Sequence, residues 1–293
     1  MVASRVTDQF TIHVCRRLGR RHHGESRRAH MSTRKSAVVT GGSLGIGHEI
    51  TRQLLASGVD VLIVGRTKAR LDEAAAELSP QGGDGAQLHT ITADVGTDEG
   101  VAAVVDAAAS MWGGNLDMLV NNAAIFDDAS FLTLDKVTWD HVVAVNLTAP
   151  FLLTQKLAPL MRDSGGGAIV NMASIDGHGV DGPYVGYNVT KAGLLHLTRQ
   201  AAVELGPTGV RVNSVSPGYT RTPMVESAFS EARLAAMNGD WDRVPLRRMI
   251  SVEEVANTVL FLLSDAASGI TGADLLVDGG TVANLYVLEM LPD

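Results

Sequence analysis

A tyrosine and a lysine four residues apart, Tyr187 and Lys191, hold the most chemistry in this sequence. At that spacing on a helix, two side chains leave the same face. A free phenol has a pKa of about 10 and is a poor base near neutrality. A fixed ammonium beside it favours the phenolate. Lowering the phenol by about three units takes roughly 4 kcal/mol of differential stabilisation, which a close, partly buried charge supplies. Such a pair would pass a proton to or from an alcohol oxygen. The same spacing also occurs as a packed ring and a solvated lysine, so the reading depends on what surrounds it.

From Ser36 onward, short apolar segments alternate with helical patterns. Strands are expected at 36–40, 61–64, 87–91, 118–120, 168–172, 211–215 and 274–277. Helices are expected at about 45–57, 68–78, 97–111, 135–161, 184–205 and 252–263. This alternation predicts an α/β fold, a doubly wound, seven-stranded parallel sheet with helices on both faces and right-handed crossovers. Residues 79–86 read as a surface turn. Residues 217–250, with Pro217, Pro223 and Pro245, read as a long irregular segment with a short helical pattern near 224–237, a placement typical of binding loops.

The first strand runs into Thr-Gly-Gly-Ser-Leu-Gly-Ile-Gly at 40–47, which opens a helix. Glycine lets backbone approach a phosphate closely. The helix start offers free N–H groups and the positive end of its dipole. The spacing Gly41, Gly45, Gly47 differs from the common G-x-G-x-x-G, and no lysine follows as in a phosphate loop. The second strand ends in Val64, Gly65 and Arg66. An acid near that point would bind a ribose 2′-hydroxyl. Gly65 takes the place instead, and an arginine can pair with a 2′-phosphate and stack on adenine. NADP(H) is therefore favoured over NAD(H); Lys68 and Arg70 would assist or lie in solvent.

These motifs together resemble the short-chain dehydrogenase/reductase family over about residues 35–280. Residues 40–47 match its T-G-x-x-x-G-x-G turn. Asp94 and Val95 match its adenine-contacting pair. Asn121, Asn122, Ala123 and Ala124 resemble its N-N-A-G, with Ala124 replacing the glycine. Asn146, Ser174, Tyr187 and Lys191 fall where the family places its catalytic residues. Pro217, Gly218, Thr220 and Thr222 resemble its nicotinamide loop. One departure is Leu44, since NADP(H)-using relatives often carry a basic residue there.

The resemblance implies a single-domain Rossmann fold spanning 31–293, with Gly41, Ser43, Leu44, Gly45, Ile46, Gly47, Arg66, Asp94, Val95, Asn122, Ala123, Tyr187, Lys191, Pro217, Gly218, Thr220 and Thr222 holding the cofactor. It implies that Ser174 orients the substrate oxygen, Tyr187 is the acid/base, and Lys191 lowers the Tyr187 pKa and binds the nicotinamide ribose. Asn146 would position a water for proton relay. The substrate would be a small carbonyl or alcohol compound, near Ile175, Asp176, His178, Tyr184, Tyr219 and 223–249. The resemblance reaches both 3-oxoacyl-carrier-protein reductases and sugar or alcohol dehydrogenases. Arg162, Arg221, Arg247 and Arg248 are candidates for an entrance to an acyl carrier protein. An NAD(H)-dependent polyol dehydrogenase, an isomerase or dehydratase, and a non-catalytic dinucleotide-binding regulator stay open. A homotetramer built on the long helices is implied.

Composition sets the remaining bounds. At 45% hydrophobic and 19% charged, the 293 residues suffice for a sizeable core. A net charge of −8 argues against general nucleic-acid binding. The longest apolar runs fall short of a membrane span. Cys15 is the single cysteine, so no intramolecular disulfide forms, and a reducing, cytoplasmic location fits. The histidines show no metal-ligand spacing. Residues 1–30 carry a side-chain charge of +5, leaving −13 for the rest. They read as a disordered basic extension, a transit peptide, or an over-extended gene start ahead of Met31. The end of the chain, from Thr281, is apolar enough to pack on a neighbour or on its own domain.

Overall fold

The computed structural model describes residues 34–239 and 241–284. The expectations for 1–30, for Cys15 and for the apolar residues from Leu285 onward lie outside the described residues.

Seven strands pair in parallel: β1 (Ser36–Thr40), β2 (Asp60–Gly65), β3 (Leu88–Thr92), β4 (Met118–Asn121), β5 (Gly167–Met172), β6 (Val210–Pro217) and β7 (Asp274–Val277). Their spatial order is β3-β2-β1-β4-β5-β6-β7. The chain starts mid-sheet, winds out to β3, returns beside β1 and winds out to β7. Neighbouring connections therefore diverge between β1 and β4, which opens a crevice at the C-terminal ends of these strands.

Every residue of β1 and β4 is buried, as a sheet covered on both faces requires. Successive side chains alternate between the two faces. Ala37 and Val39 join the core of α1 (Gly45–Ala56), α2 (Lys68–Leu78) and α9 (Val252–Leu263), through residues such as Ile50, Leu71 and Val259. Val38 joins the opposite core, with Val104 of α3 (Asp98–Met111) and Leu153 of α5 (Ala149–Asp163). The fold is the expected doubly wound Rossmann architecture. Among the described residues, no helix is long and apolar enough to cross a membrane.

Two helical expectations are corrected. The single helix expected over 135–161 is broken into α4 (Lys136–Val143) and α5 by a π-helical turn, Ala144–Thr148. Pro150 has no N–H and cannot donate to the Asn146 carbonyl four residues back. The widened turn bypasses the gap, and the Ala149 N–H reaches the Ala144 carbonyl. The short pattern near 224–237 is two helices, α7 (Pro223–Ala228) and α8 (Glu231–Asn238). They separate because Phe229 is extended and Ser230 accepts from the Arg233 N–H, capping a new helix.

Candidate active site

The strand ends open on a cleft of about 670 Å³. Its floor is the turn between β1 and α1, where Gly41 (φ +65°) and Gly45 (φ +55°) hold left-handed backbone. Thr40 Oγ1 accepts the N–H groups of Asn122 and Ala123, both at 3.0 Å. Asn122 Nδ2 donates to the carbonyls of Thr40 (3.0 Å) and Gly41 (3.2 Å). The turn is thus pinned to the end of β4. Ser43, Leu44, Gly45 and Ile46 line the cleft. The N-cap position of α1 is Leu44, whose side chain accepts no hydrogen bond from the first turn. Those N–H groups and the helix dipole suit an anion such as a pyrophosphate. Gly47 is different: a Cβ there would lie 2.3 Å from the Gly41 carbonyl oxygen. It serves close packing beneath the turn.

Gly65, Arg66, Thr67, Arg70, Asp94 and Val95 form one end of the cleft. Arg66 Nη1 stands 4.0 Å from Asp94 Oδ2, while Asp94 Oδ1 accepts from the Gly96 N–H at 2.9 Å. A Cβ on Gly65 would meet Leu71 at 3.3 Å and Ser43 Oγ at 3.5 Å. Lys68 instead pairs with Asp72 at 2.6 Å.

Ser174, Tyr187 and Lys191 line the other end, with Pro217, Gly218, Thr220 and Thr222. Tyr187 and Lys191 sit in the first two turns of α6 (Val185–Leu205). Lys191 Nζ donates to the Met172 carbonyl at 2.6 Å and lies 5.3 Å from the centre of the Tyr187 ring. Ser174 Oγ accepts from the Asp176 N–H at 3.1 Å and donates to Asp176 Oδ2 at 3.3 Å.

Burial dominates the electrostatics of the pair. Burial raises the Tyr187 phenol above its usual range, and the Asp176 charge adds to this; the hydrogen bond with Ser174 works the other way. Burial also draws Lys191 down to about 8, against the opposing pull of Asp176. Burial and Asp176 thus outweigh the Ser174 hydrogen bond at Tyr187, and burial weakens Lys191 as a cation beside it.

Asn146 lies behind the cleft, 1% exposed, in the π-helical turn. Its Oδ1 accepts the Ile125 N–H at 2.9 Å, and its Nδ2 donates to the Ile125 carbonyl (2.7 Å) and to Thr190 Oγ1 (3.2 Å). Both amide protons are engaged, so the side chain clamps the segment after β4 to α6. With both amide protons engaged, the Asn146 side chain serves here as a structural tie between the two segments.

Sequence reading missed Asp127. Its carboxylate accepts the N–H groups of Gly186 (3.1 Å) and Tyr187 (2.9 Å), capping α6 from a distant loop. An acid near the Asn-Asn-Ala-Ala stretch was visible; its partner was not. Phe126, also missed, adds apolar surface to the cleft, beside Met224 of the expected 223–249 segment.

The expected substrate side is partly taken up by internal bonds. His178 Nε2 meets Asp274 Oδ2 at 2.8 Å, and Tyr219 donates to Asp181 while its ring stands edge-on to Trp241 at 4.5 Å. α7 lies close over the glycine turn, with Thr222 Cγ2 3.3 Å from where a Gly45 Cβ would be. Each arginine considered for an acyl-carrier entrance is ion-paired: Arg162 with Asp163, Arg221 with Glu226, Arg247 with Asp242 and Arg248 with Glu254. Among the described residues, no cluster of three or more His, Cys, Asp or Glu is arranged to hold a metal.

A parallel sheet of this order, with a glycine turn facing a Ser-Tyr-Lys set across one cleft, defines a dinucleotide-binding oxidoreductase. A family profile described as enoyl-(acyl carrier protein) reductase matches residues 41–282. The chain is 37% identical over 246 residues to a 3-oxoacyl-[acyl-carrier-protein] reductase of Aquifex aeolicus, covering 84% of this chain and 96% of that one. It is 40% identical over 248 residues to a cis-4-hydroxycyclohexanecarboxylate dehydrogenase of Sinomonas cyclohexanicum, with 84% and 96% covered. The structure of levodione reductase superposes with a TM-score of 0.79 at 32% identity, covering 86% of this chain and 98% of that one. The chain belongs to the short-chain dehydrogenase/reductase family, and it is an oxidoreductase of that family.

Proposed function

We propose that the catalytic domain, 31–293, transfers a hydride between NADP(H) and a ketone or secondary alcohol. The observation that carries this is the single cleft with Ser174, Tyr187 and Lys191 at one end and Gly65, Arg66 and Arg70 at the other. The bound nicotinamide supplies or accepts the hydride. Tyr187 passes the proton: as a phenol it is the acid in reduction, and as a phenolate the base in oxidation. Ser174 fixes the substrate oxygen beside it. Lys191, within the same wall, holds the nicotinamide ribose hydroxyls and passes the proton onward from Tyr187. Arg66 and Arg70 favour a 2′-phosphate, because guanidinium groups pair with phosphate oxygens in a fork.

The pairing of Arg162, Arg221, Arg247 and Arg248 with acids favours a small free carbonyl compound over a substrate carried on an acidic protein. Phe151 and Val189, exposed by 44% and 50% on α5 and α6, suit helix-to-helix contact in a homotetramer. The lone Cys15 suits a cytoplasmic location. Leu44 in the glycine turn favours a second reading, an NAD(H)-dependent polyol dehydrogenase. Following NADPH and NADH absorbance across ketones, sugars and acyl thioesters separates these readings. Turnover with ketones and NADPH is expected; turnover with neither cofactor on any carbonyl would overturn the proposal.

A further inference from the structure

Ser174 has one hydroxyl proton, and the Asp176 carboxylate competes for it with the Tyr187 oxygen. Ser174 Oγ donates to Asp176 Oδ2 at 3.3 Å and accepts the Asp176 N–H at 3.1 Å, closing a tight loop at the start of the Ile175–Gly177 turn. Ser174 is 6% exposed, so water is not a ready substitute partner. While that proton is held by Asp176, the serine presents only lone pairs to Tyr187 and the cleft. A ketone oxygen is also an acceptor, so the two cannot hydrogen-bond. A protonated Asp176 reverses the polarity: its own O–H donates to Ser174 Oγ, and the serine proton is released towards the substrate.

We propose that Asp176 is a positioning residue that switches Ser174 between a hydroxyl closed on the carboxylate and one open to the substrate oxygen. The proposal rests on the reading of Ser174 and Tyr187 as the catalytic pair. Asp176 keeps its proton through turnover. The substrate oxygen takes its proton from Tyr187 and the carbon its hydride from the cofactor, so the overall balance of the reaction is unchanged. The charged and titratable groups around Asp176 are Asp181 in the same loop, Tyr187 and Lys191 on α6, and Arg243 after α8. Burial and then Asp181 push the carboxyl up to about 6, while Ser174, Lys191 and Arg243 oppose this. The switch thus operates at mildly acidic pH, and ketone reduction falls as pH rises through it.

The test follows NADPH oxidation with ethyl acetoacetate and with cyclohexanone, from about pH 5 to about pH 7, below the Lys191 range, using the full chain. Wild-type kcat/KM is expected to fall about tenfold as the carboxyl ionises, with a midpoint near 6. Asp176→Asn offers an N–H to Ser174 at every pH, and its profile is expected to stay within about twofold of level. An Asp176→Asn profile that tracks the wild type overturns the proposal. Tyr187→Phe is assayed alongside; sustained turnover by that variant would instead remove the catalytic reading beneath it. Carbon-13 NMR of aspartate-labelled protein gives a readout that needs no substrate. The resonance absent from Asp176→Asn identifies Asp176, and its midpoint is expected to rise in Ser174→Ala, which removes the hydrogen bond that lowers it. An unmoved midpoint shows the two residues to be uncoupled and overturns the proposal even if neither ketone is reduced.

Discussion

Asp127 holds the backbone N–H of Tyr187 at 2.9 Å across 60 residues of sequence. The same carboxylate holds Gly186, and Asp127 is 3% exposed, so the start of α6 is fixed by a buried cap from another loop. Removing it as Asp127→Ala leaves two buried N–H groups unpaired. The expected cost is about 1–2 kcal/mol in urea unfolding. A fall in kcat with unchanged NADPH affinity should accompany it, and Asp127→Asn, which keeps one acceptor oxygen, should recover part of both. An unchanged kcat would show that Tyr187 is placed without this cap.

Tyr187→Phe should reduce turnover by a factor of at least about 10² while NADPH still binds. Stopped-flow absorbance and cofactor fluorescence measure the two separately. Retention of most activity would remove Tyr187 from the mechanism.

Cofactor choice should follow the cleft's outer end. Arg66→Ala loses a charge-assisted contact, so KM for NADPH should rise by roughly tenfold or more, with little change for NADH. Gly65→Asp should move preference the other way, because a carboxylate there repels a 2′-phosphate and accepts from a 2′-hydroxyl. Equal effects on both cofactors would end the case for phosphate selection.

Stability should depend on pH through Asp176. Its folded pKa is raised from 3.8 to about 6, so the folded state disfavours the ionised form. Stability is therefore lost as pH rises from 3.8 through about 6, and the full penalty persists above that. Asp176→Asn should be more stable than wild type by roughly 2–3 kcal/mol near neutrality and no more stable below about pH 4. Chemical unfolding at the two pH values checks the sign.

Tyrosine ionisation offers a further check. With Tyr187 raised above its usual range, ultraviolet titration of wild type and Tyr187→Phe should coincide until the fold is lost at high pH. A difference appearing near pH 10 or below would show a phenol less perturbed than its surroundings imply.

The strands were legible because a sheet covered on both faces demands continuous apolar runs, as at Val38 and Val39. The glycine turn and the order of Ser174, Tyr187 and Lys191 were legible because they lie at fixed spacings. The π-helical turn was not, since its apolar residues keep a helical spacing, and only Pro150 marked the break. Asp127 was hidden because its partner is distant in sequence. The burial of Lys191 was hidden for another reason: sequence shows that a side chain bears charge, but not that burial will weaken it. His178 read as facing substrate because its bond to Asp274 depends on where β7 docks.

Pro150 makes the helix locally weaker, since its nitrogen carries no proton and the π-helical turn must absorb the gap. A residue with an N–H there would let α4 and α5 run as one regular helix, gaining a backbone hydrogen bond but drawing Asn146 out of the turn that sets its side chain against Ile125 and Thr190. Selection for thermostability alone would therefore favour replacing this proline, and selection for turnover would retain it. Position 150 is thus where robustness and function are in conflict, and a stabilising screen blind to activity would be drawn to it.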